Sequence, residues 1–320
     1  MNDSMENTEV AIVGAGAAGL NAGLVLARAR RSVTIFDDGE QRNTVADAMH
    51  GFISQDGRSP QGFLRLARAE LHAYPKLRFI DGRVADISTA SDGFSITLED
   101  ARRFDARVVL LATGVTDALP AIQGLESFWG RSAFVCPYCD GWEIADRRIV
   151  VFGDSALAVP LAQELYQWSR RITIAGAPKA CSDEDAAWLS STGVRATTAS
   201  IVRASGTSGK LASVLLDDGS TLECDTLFLS ARLHQHSKVA LRLGCRLTDD
   251  DHIKIDECHR TSVAGIYAAG DATTRHHQVV IAAASGAKAA IAINSHLTDE
   301  ETRAIVNRSL YVSDAGKAAK

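Results

Sequence analysis

The sequence predicts a three-layer α/β protein with two Rossmann-like dinucleotide-binding domains, and three observations carry that reading. Short apolar runs alternate with helical stretches along the 320 residues. A strand, a glycine-rich turn and a helix open near the N-terminus, and the same start recurs about 140 residues later. Alanine and glycine are frequent while aromatic residues make up only 6%, which suits helices packed closely on parallel sheets.

Val10–Val13 reads as the first strand, residues 14–19 as a turn into a helix, and Ser32–Phe36 as the second strand. Val108–Ala112 is a further apolar strand. Ile149–Phe152 opens the second unit, followed by a small-residue turn, a helix through Leu165 and a strand over 171–175. Leu227–Ser230 repeats the character of Val108–Ala112. Asp81-Gly82, Asp92-Gly93 and Asp218-Gly219 lie between alternating runs and are expected to turn β-hairpins, or a meander, set into the α/β frame. Asp183-Glu184-Asp185 reads as a solvated helix start, and the small polar residues 313–320 as a flexible tail.

The turn Gly14-Ala15-Gly16-Ala17-Ala18-Gly19 has the arrangement that binds a pyrophosphate. Gly14 permits the tight turn, Gly16 lets backbone approach the phosphates, and Gly19 lets the helix pack near the strand. The phosphates would lie on the helix N-terminus, where free amides and the dipole favour anions. Asp37, 18 residues after Gly19 at the end of the second strand, can hydrogen-bond a ribose.

Cys136-Pro137-Tyr138-Cys139 is the other chemical signal. Two cysteines separated by two residues can close a redox disulfide, and the thiolate pKa is often lowered in such pairs. A zinc half-site would need two more ligands at matching spacing, and no second such pair exists. The other four cysteines, 181, 224, 245 and 258, read as unpaired thiols. Trp129 and Trp142 flank the dithiol, either as pocket walls or as core.

Composition narrows the partners. Lys plus Arg number 34 against 39 Asp plus Glu, a net charge of −5, so a broad nucleic-acid surface is not expected. Residues 10–27 approach the length of a membrane span, but the glycine punctuation favours strand, turn and helix, and no membrane association is expected. The first nine residues lack a basic start and an apolar core, so a cytoplasmic location is expected.

The order of motifs is where a family resemblance enters. The glycine turn, Ala112-Thr113-Gly114 closing a strand, and Gly270-Asp271 ending another resemble the FAD-binding signature of flavoproteins with two dinucleotide domains. With the dithiol followed by Asp140 and the second turn, residues 8 to 297 resemble low-molecular-weight thioredoxin reductases. The resemblance implies FAD as cofactor and an FAD domain split by the second one: 1–116 and 248–312, with 117–247 inserted and carrying the dithiol. It further implies that Cys139 faces the flavin, that Cys136 is the exchanging thiol, that Asp140 is the acid–base group, and that the chain forms a homodimer. Asp271 would hold the ribityl chain. The helix 278–297, starting at Gln278 and Val279, would aim its N-terminus at the flavin.

The second nucleotide turn departs from that family. Gly153-Asp154-Ser155-Ala156-Leu157-Ala158 has serine at the middle glycine, which crowds the approach to a pyrophosphate. The stretch after the next strand, 174–179, offers only Lys179 where a 2′-phosphate needs cations. NADPH is therefore not expected, and NADH is excluded less firmly. This loss of NAD(P) features is similar to a thioredoxin-reductase-like subgroup that includes the dithiol oxidases of gliotoxin, holomycin and romidepsin-type biosynthesis. Arg42-Asn43 and His50-Gly51-Phe52 are similar to that subgroup as well. The implied reaction closes a disulfide in a small-molecule dithiol with oxygen as acceptor. Asp140 and one of His276 or His277 are the candidate bases, since histidine titrates near neutrality. The competing readings are a reductase of a thioredoxin-like protein, fed by NAD(P)H or another donor, and a flavin-binding sensor without turnover. No metal site is expected.

Overall fold

The computed structural model describes residues 6–153, 157–178 and 181–318. The chain begins with β1 (Glu6–Val13), α1 (Ala17–Arg28) and β2 (Val33–Asp37). Every side chain of β2 is buried, as expected of a parallel strand covered on both faces. After α2 (Pro60–Leu71) come β3 (Leu77–Asp81), β4 (Val84–Ala90), β5 (Gly93–Leu98) and β6 (Arg103–Leu111). The order is β3-β2-β1-β6-β5-β4: parallel from β3 to β6, antiparallel from β6 to β4. Asp92-Gly93 turns the β4–β5 hairpin, and Asp218-Gly219 turns another further on. Asp81-Gly82 does not turn a hairpin, because β3 and β4 lie at opposite ends of this order. A turn dipeptide marks a change of direction and cannot by itself make its flanking strands pair.

The second half follows through β7 (Val115–Ala118), β8 (Ala133–Phe134), α3 (Pro137–Asp140), β9 (Ile149–Phe152), α4 (Ala158–Leu165), β10 (Ile172–Ala175), α5 (Asp183–Thr192) and β11 (Arg195–Thr197). Ser182 caps α5 by accepting the Asp185 amide at 3.0 Å, and the three acids fill the first turn. Then come β12 (Ile201–Thr207), β13 (Lys210–Leu216), β14 (Thr221–Glu223), β15 (Thr226–Leu229) and β16 (Arg232–Gln235). β11-β10-β9-β15-β8 is a parallel sheet, and β12-β13-β14 an antiparallel one. The chain closes with α6 (Val239–Arg242), β17 (Ile266–Ala268), which pairs parallel with β6, and α7 (Val279–Ala318).

Two compact units result. One comprises residues 1–41, 64–115 and 235–320, the other 42–63 and 116–234. These divisions differ from 116/117 and 247/248. Residues 235–247 return early to the first unit: His236 N donates to the Gly114 carbonyl at 3.2 Å, and Val239, Ala240 and Cys245 enter its core. Residues 42–63, expected with the first unit, cluster with the second.

α7 is longer than the expected 278–297 and runs through residues 313–318, expected as tail. Past Leu297, Glu301 accepts from the buried Arg31, which also bonds Glu9, Asn294 Oδ1 and Thr298 Oγ1. Arg107 binds Glu300 and Glu301. By length and hydropathy residues 279–308 could cross a bilayer, yet Ala282, Ala289, Ala290, Ile293 and Leu297 are core residues here. A Cβ on Gly286 would lie 2.0 Å from the Ala18 carbonyl oxygen, so α1 and α7 are in backbone contact.

Candidate active site: a nucleotide cradle and a dithiol turn

In the first unit, the turn after β1 is shaped by its glycines. Gly14 has φ +106°, and a Cβ there would stand 2.3 Å from the Ala112 carbonyl oxygen. A Cβ on Gly19 would stand 1.9 Å from the Gly14 carbonyl oxygen. Around Gly16, the N-cap of α1, a Cβ meets nothing within 4 Å and no side chain caps the helix. The three glycines thus do different work: two allow backbone to close on backbone, and the middle one leaves open space at a helix N-terminus. That space suits a pyrophosphate, and the residues present fit FAD. Ala17 and Ala18 form the first turn of α1, with Ala18 against Gly270.

Ala112, Thr113 and Gly114 follow β6, with Gly114 at φ +67°. Gly270 (φ +75°) donates its amide to Ser285 Oγ at 2.9 Å, which ties the Gly270–Thr273 turn carrying Asp271 to α7. The Gln278 carbonyl accepts the Ala282 amide, and Val279 begins α7. Asp37 is more committed than its expected ribose role requires. Its buried carboxylate accepts from the Ala15 amide at 3.0 Å, from Gln41 Nε2 at 3.1 and 3.0 Å, and from Arg68. Gln41 or Arg68 must give way before a ribose hydroxyl can reach it.

Two substitutions separate these roles. Gly14→Ala should destabilise the protein by more than about 2 kcal/mol, since backbone strain at positive φ and a clash of the added Cβ with the Ala112 carbonyl coincide. Gly16→Val should lower the urea midpoint of the apoprotein far less than Gly14→Ala does, the cost being that of a poorer N-cap, and sharply lower the flavin-to-protein ratio retained on gel filtration.

Arg42 and Asn43 lie in the 3₁₀ turn Arg42–Val45. Arg42 makes a two-pronged ion pair with Asp117, both contacts at 2.6 Å. His276 is exposed, and His277 Nε2 lies 2.6 Å from the Thr274 carbonyl oxygen. Asp154, Ser155 and Ala156 of the second nucleotide turn, and Lys179, lie outside the described residues.

In the second unit, Cys136 and Cys139 form a disulfide. Cys136 is the N-cap of α3, with Pro137 next, where proline's fixed φ suits a helix start. The Cys139 amide donates to Cys136 Sγ at 3.1 Å. That donor favours negative charge on the Cys136 sulfur, which an exchanging thiol must carry. Cys136, Cys139 and Asp140 are all half-buried. Burial, reinforced by the nearby Glu143 carboxylate and opposed by His50, pushes the Asp140 carboxyl up to about 7.

The neighbouring aromatics divide. Trp129 packs against a core cluster, whereas Trp142 is 81% exposed. Cys181 and Cys258 are exposed thiols, Cys224 and Cys245 buried ones. Among the described residues Asp38, Glu40 and His236 bring metal-ligand atoms within 4.8 Å of one another. Arg83 already contacts both carboxylates, at 3.1 and 2.6 Å, and supplies the cation. The His236 hydrogen bond holds Asp38 down at about 2 and raises His236 in turn.

Sequence reasoning did not connect Asp56 and Glu143 to the dithiol, Arg68 to Asp37, or Asp117 to Arg42. Only Glu143, four residues after Cys139, stands near its site in the sequence.

Comparison with known proteins agrees with this geometry. Residues 8–287 match the family model described as pyridine nucleotide-disulphide oxidoreductase. The chain is 31% identical to thioredoxin reductase tcpT of Claviceps purpurea, over 81% of this chain and 85% of that one. Among solved structures it is similar to HlmI, at 35% identity and a TM-score of 0.90, covering 96% of this chain and 97% of that one. An oxidoreductase from Agrobacterium tumefaciens is similar at 33% identity and a TM-score of 0.85, covering 91% and 99%.

Proposed function

Because the chain belongs to the pyridine nucleotide-disulphide oxidoreductase family, as a thioredoxin-reductase-like flavoprotein that binds FAD, we propose that it is a dithiol oxidase acting on a small molecule. The observation that carries this reading is the Cys136–Cys139 disulfide closed beside a half-buried acid whose proton affinity is set near neutrality. Asp140 takes the proton of the first substrate thiol. The resulting thiolate attacks Cys136 Sγ, the Cys136–Cys139 bond breaks, and the electron pair leaves on Cys139 Sγ. Asp140 releases that proton to water and takes the proton of the second substrate thiol, whose sulfur attacks the substrate sulfur of the mixed disulfide; the substrate departs oxidised and Cys136 is left as a thiolate. Bound FAD supplies the two-electron acceptor that links the reduced dithiol to oxygen, which becomes hydrogen peroxide.

The sequence around Ser155 supports this over an NAD(P)H-fed reductase, since serine stands at the middle glycine and Lys179 alone stands where a cationic cluster is expected. Of the candidate bases Asp140 is favoured, because it adjoins the dithiol, whereas a ring nitrogen of His277 is held by the Thr274 carbonyl. The reading takes the chain as a cytoplasmic homodimer. α7 exposes Ile291, Ile305 and Val306, which a second copy would cover, and light scattering reads that assembly.

Anaerobic flavin bleaching tests the function. The yellow protein should bleach with a small dithiol, keep its colour with NADPH or NADH, and regain colour in air while peroxide forms. Rapid bleaching by NADPH would instead assign a reductase of thioredoxin-like disulfides.

A further inference from the structure

Residues 49–58 form a closed loop in the second unit. The Met49 amide donates to the Arg58 carbonyl at 2.9 Å, and the Gly57 amide to the Met49 carbonyl at 2.9 Å. Inside the loop Asp56 accepts the Gly51 amide through Oδ1 at 2.9 Å, while its Oδ2 lies 3.4 Å from His50 Nδ1. The other ring nitrogen, His50 Nε2, lies 3.5 Å from Glu143 Oε1. One imidazole, 20% exposed, therefore stands between a carboxylate of its own loop and a carboxylate one turn past Cys139.

We propose that His50, clamped by Asp56 and paired with Glu143, is a positioning residue for proton transfer at Asp140. The inference rests on the assignment of Asp140 as the acid–base group under the proposed function. Two acids on one turn repel each other's charge, so the buried one tends to keep its proton. A protonated Asp140 cannot accept the proton of an incoming thiol. His50 offsets the Glu143 charge and lets Asp140 release that proton to water between turnovers. It takes no covalent part: the thiol proton goes to Asp140, the new bond forms at Cys136 Sγ, and the electron pair leaves on Cys139 Sγ. The other titratable groups here are Glu143 on the dithiol turn, Asp56 across the loop, and Tyr138, whose hydroxyl bonds Glu164 of α4. Of these only Glu143 and His50 act on Asp140, with opposite signs.

Opposite signs make the test. The FAD-loaded protein is assayed from about pH 5 to about pH 9 by two readouts: anaerobic flavin bleaching by a small dithiol, and iodoacetamide labelling of Cys136 in the reduced protein, read by mass spectrometry. His50→Gln should move the ionisation limb of both profiles up by about half a pH unit, an approximately threefold slower reaction below the limb. Glu143→Gln should move it down by a similar amount, and the double variant should return towards the parent. A loop that merely supports the turn would not give shifts of opposite sign. Unmoved limbs, or limbs moving in the same direction, would overturn the proposal. Labelling needs no dithiol substrate, so it reads the same whether the enzyme runs as oxidase or reductase. If Asp140→Asn itself keeps the limb, the acid–base assignment falls, and the role of His50 with it.

Discussion

Cys136→Ser should lower dithiol-driven flavin reduction at least about a thousandfold, because no other group can take over a covalent nucleophile's partner. The sulfur attacked by substrate is gone, and a serine oxygen cannot form a mixed disulfide. Cys139→Ser should fail just as completely in turnover but differently in chemistry. Cys136 remains, so a substrate carrying a disulfide or an activated thiol can add to it and stay there, and the intact mass should rise by that of one substrate. Flavin content should be unchanged in both variants, since the cradle at Gly14, Gly16 and Gly19 lies in the other unit. Full dithiol turnover by Cys136→Ser would refute the exchange scheme. A mass increase on Cys136→Ser but none on Cys139→Ser would exchange the roles of the two sulfurs.

What the sequence made legible was local. A strand, a glycine hexapeptide and a helix must lie next to each other because the chain allows little else, so the separate roles of Gly14, Gly16 and Gly19 follow from their spacing alone. Cys136 and Cys139 are three residues apart, and a proline between them starts a helical turn, which brings them together. What remained hidden depends on contacts between distant residues. Asp37 has the sequence position of a free ribose ligand, but Arg68, 31 residues on, reaches it from α2. The helix expected over 278–297 stops before the acidic run of residues 299–301. That run continues the helix because Glu300 and Glu301 meet Arg107 and Arg31, two arginines more than 190 residues earlier. His50 belongs to the same class: its likeness to the subgroup's motif is visible, but 90 residues of sequence separate it from Asp140. A pattern in one stretch shows what a residue can do, whereas its partner is chosen by the fold.

Asp140→Asn should cost activity and raise stability, and both effects should emerge as pH rises from about 4 through about 7 and persist above it. Loss of the acid–base group should slow dithiol-driven bleaching by about a hundredfold to ten-thousandfold. In the parent protein the rate should rise with pH through about 7 as the carboxyl ionises, and the asparagine variant should lack that limb. The stability effect follows from the same proton. The ordinary carboxyl ionises near 3.8 and the folded one at about 7. Below about pH 4 both states are protonated and burial carries no charge penalty. Between the two values the folded state holds a proton that the unfolded state has lost, so stability falls as pH rises. Above 7 the folded protein carries the full charge in a half-dry site, at a cost of at most about 4 kcal/mol. Asparagine has no such loss. The urea midpoints of parent and variant should therefore coincide near pH 4 and separate towards pH 8, with the variant the more stable. A variant that is less stable at pH 8 would show that the carboxylate is held by partners that favour its charge. Asp140 would then be a structural anion rather than a proton carrier. An acid kept at a stability cost beside a disulfide is what a group retained for proton transfer looks like, and the paired pH curves measure both sides of that exchange.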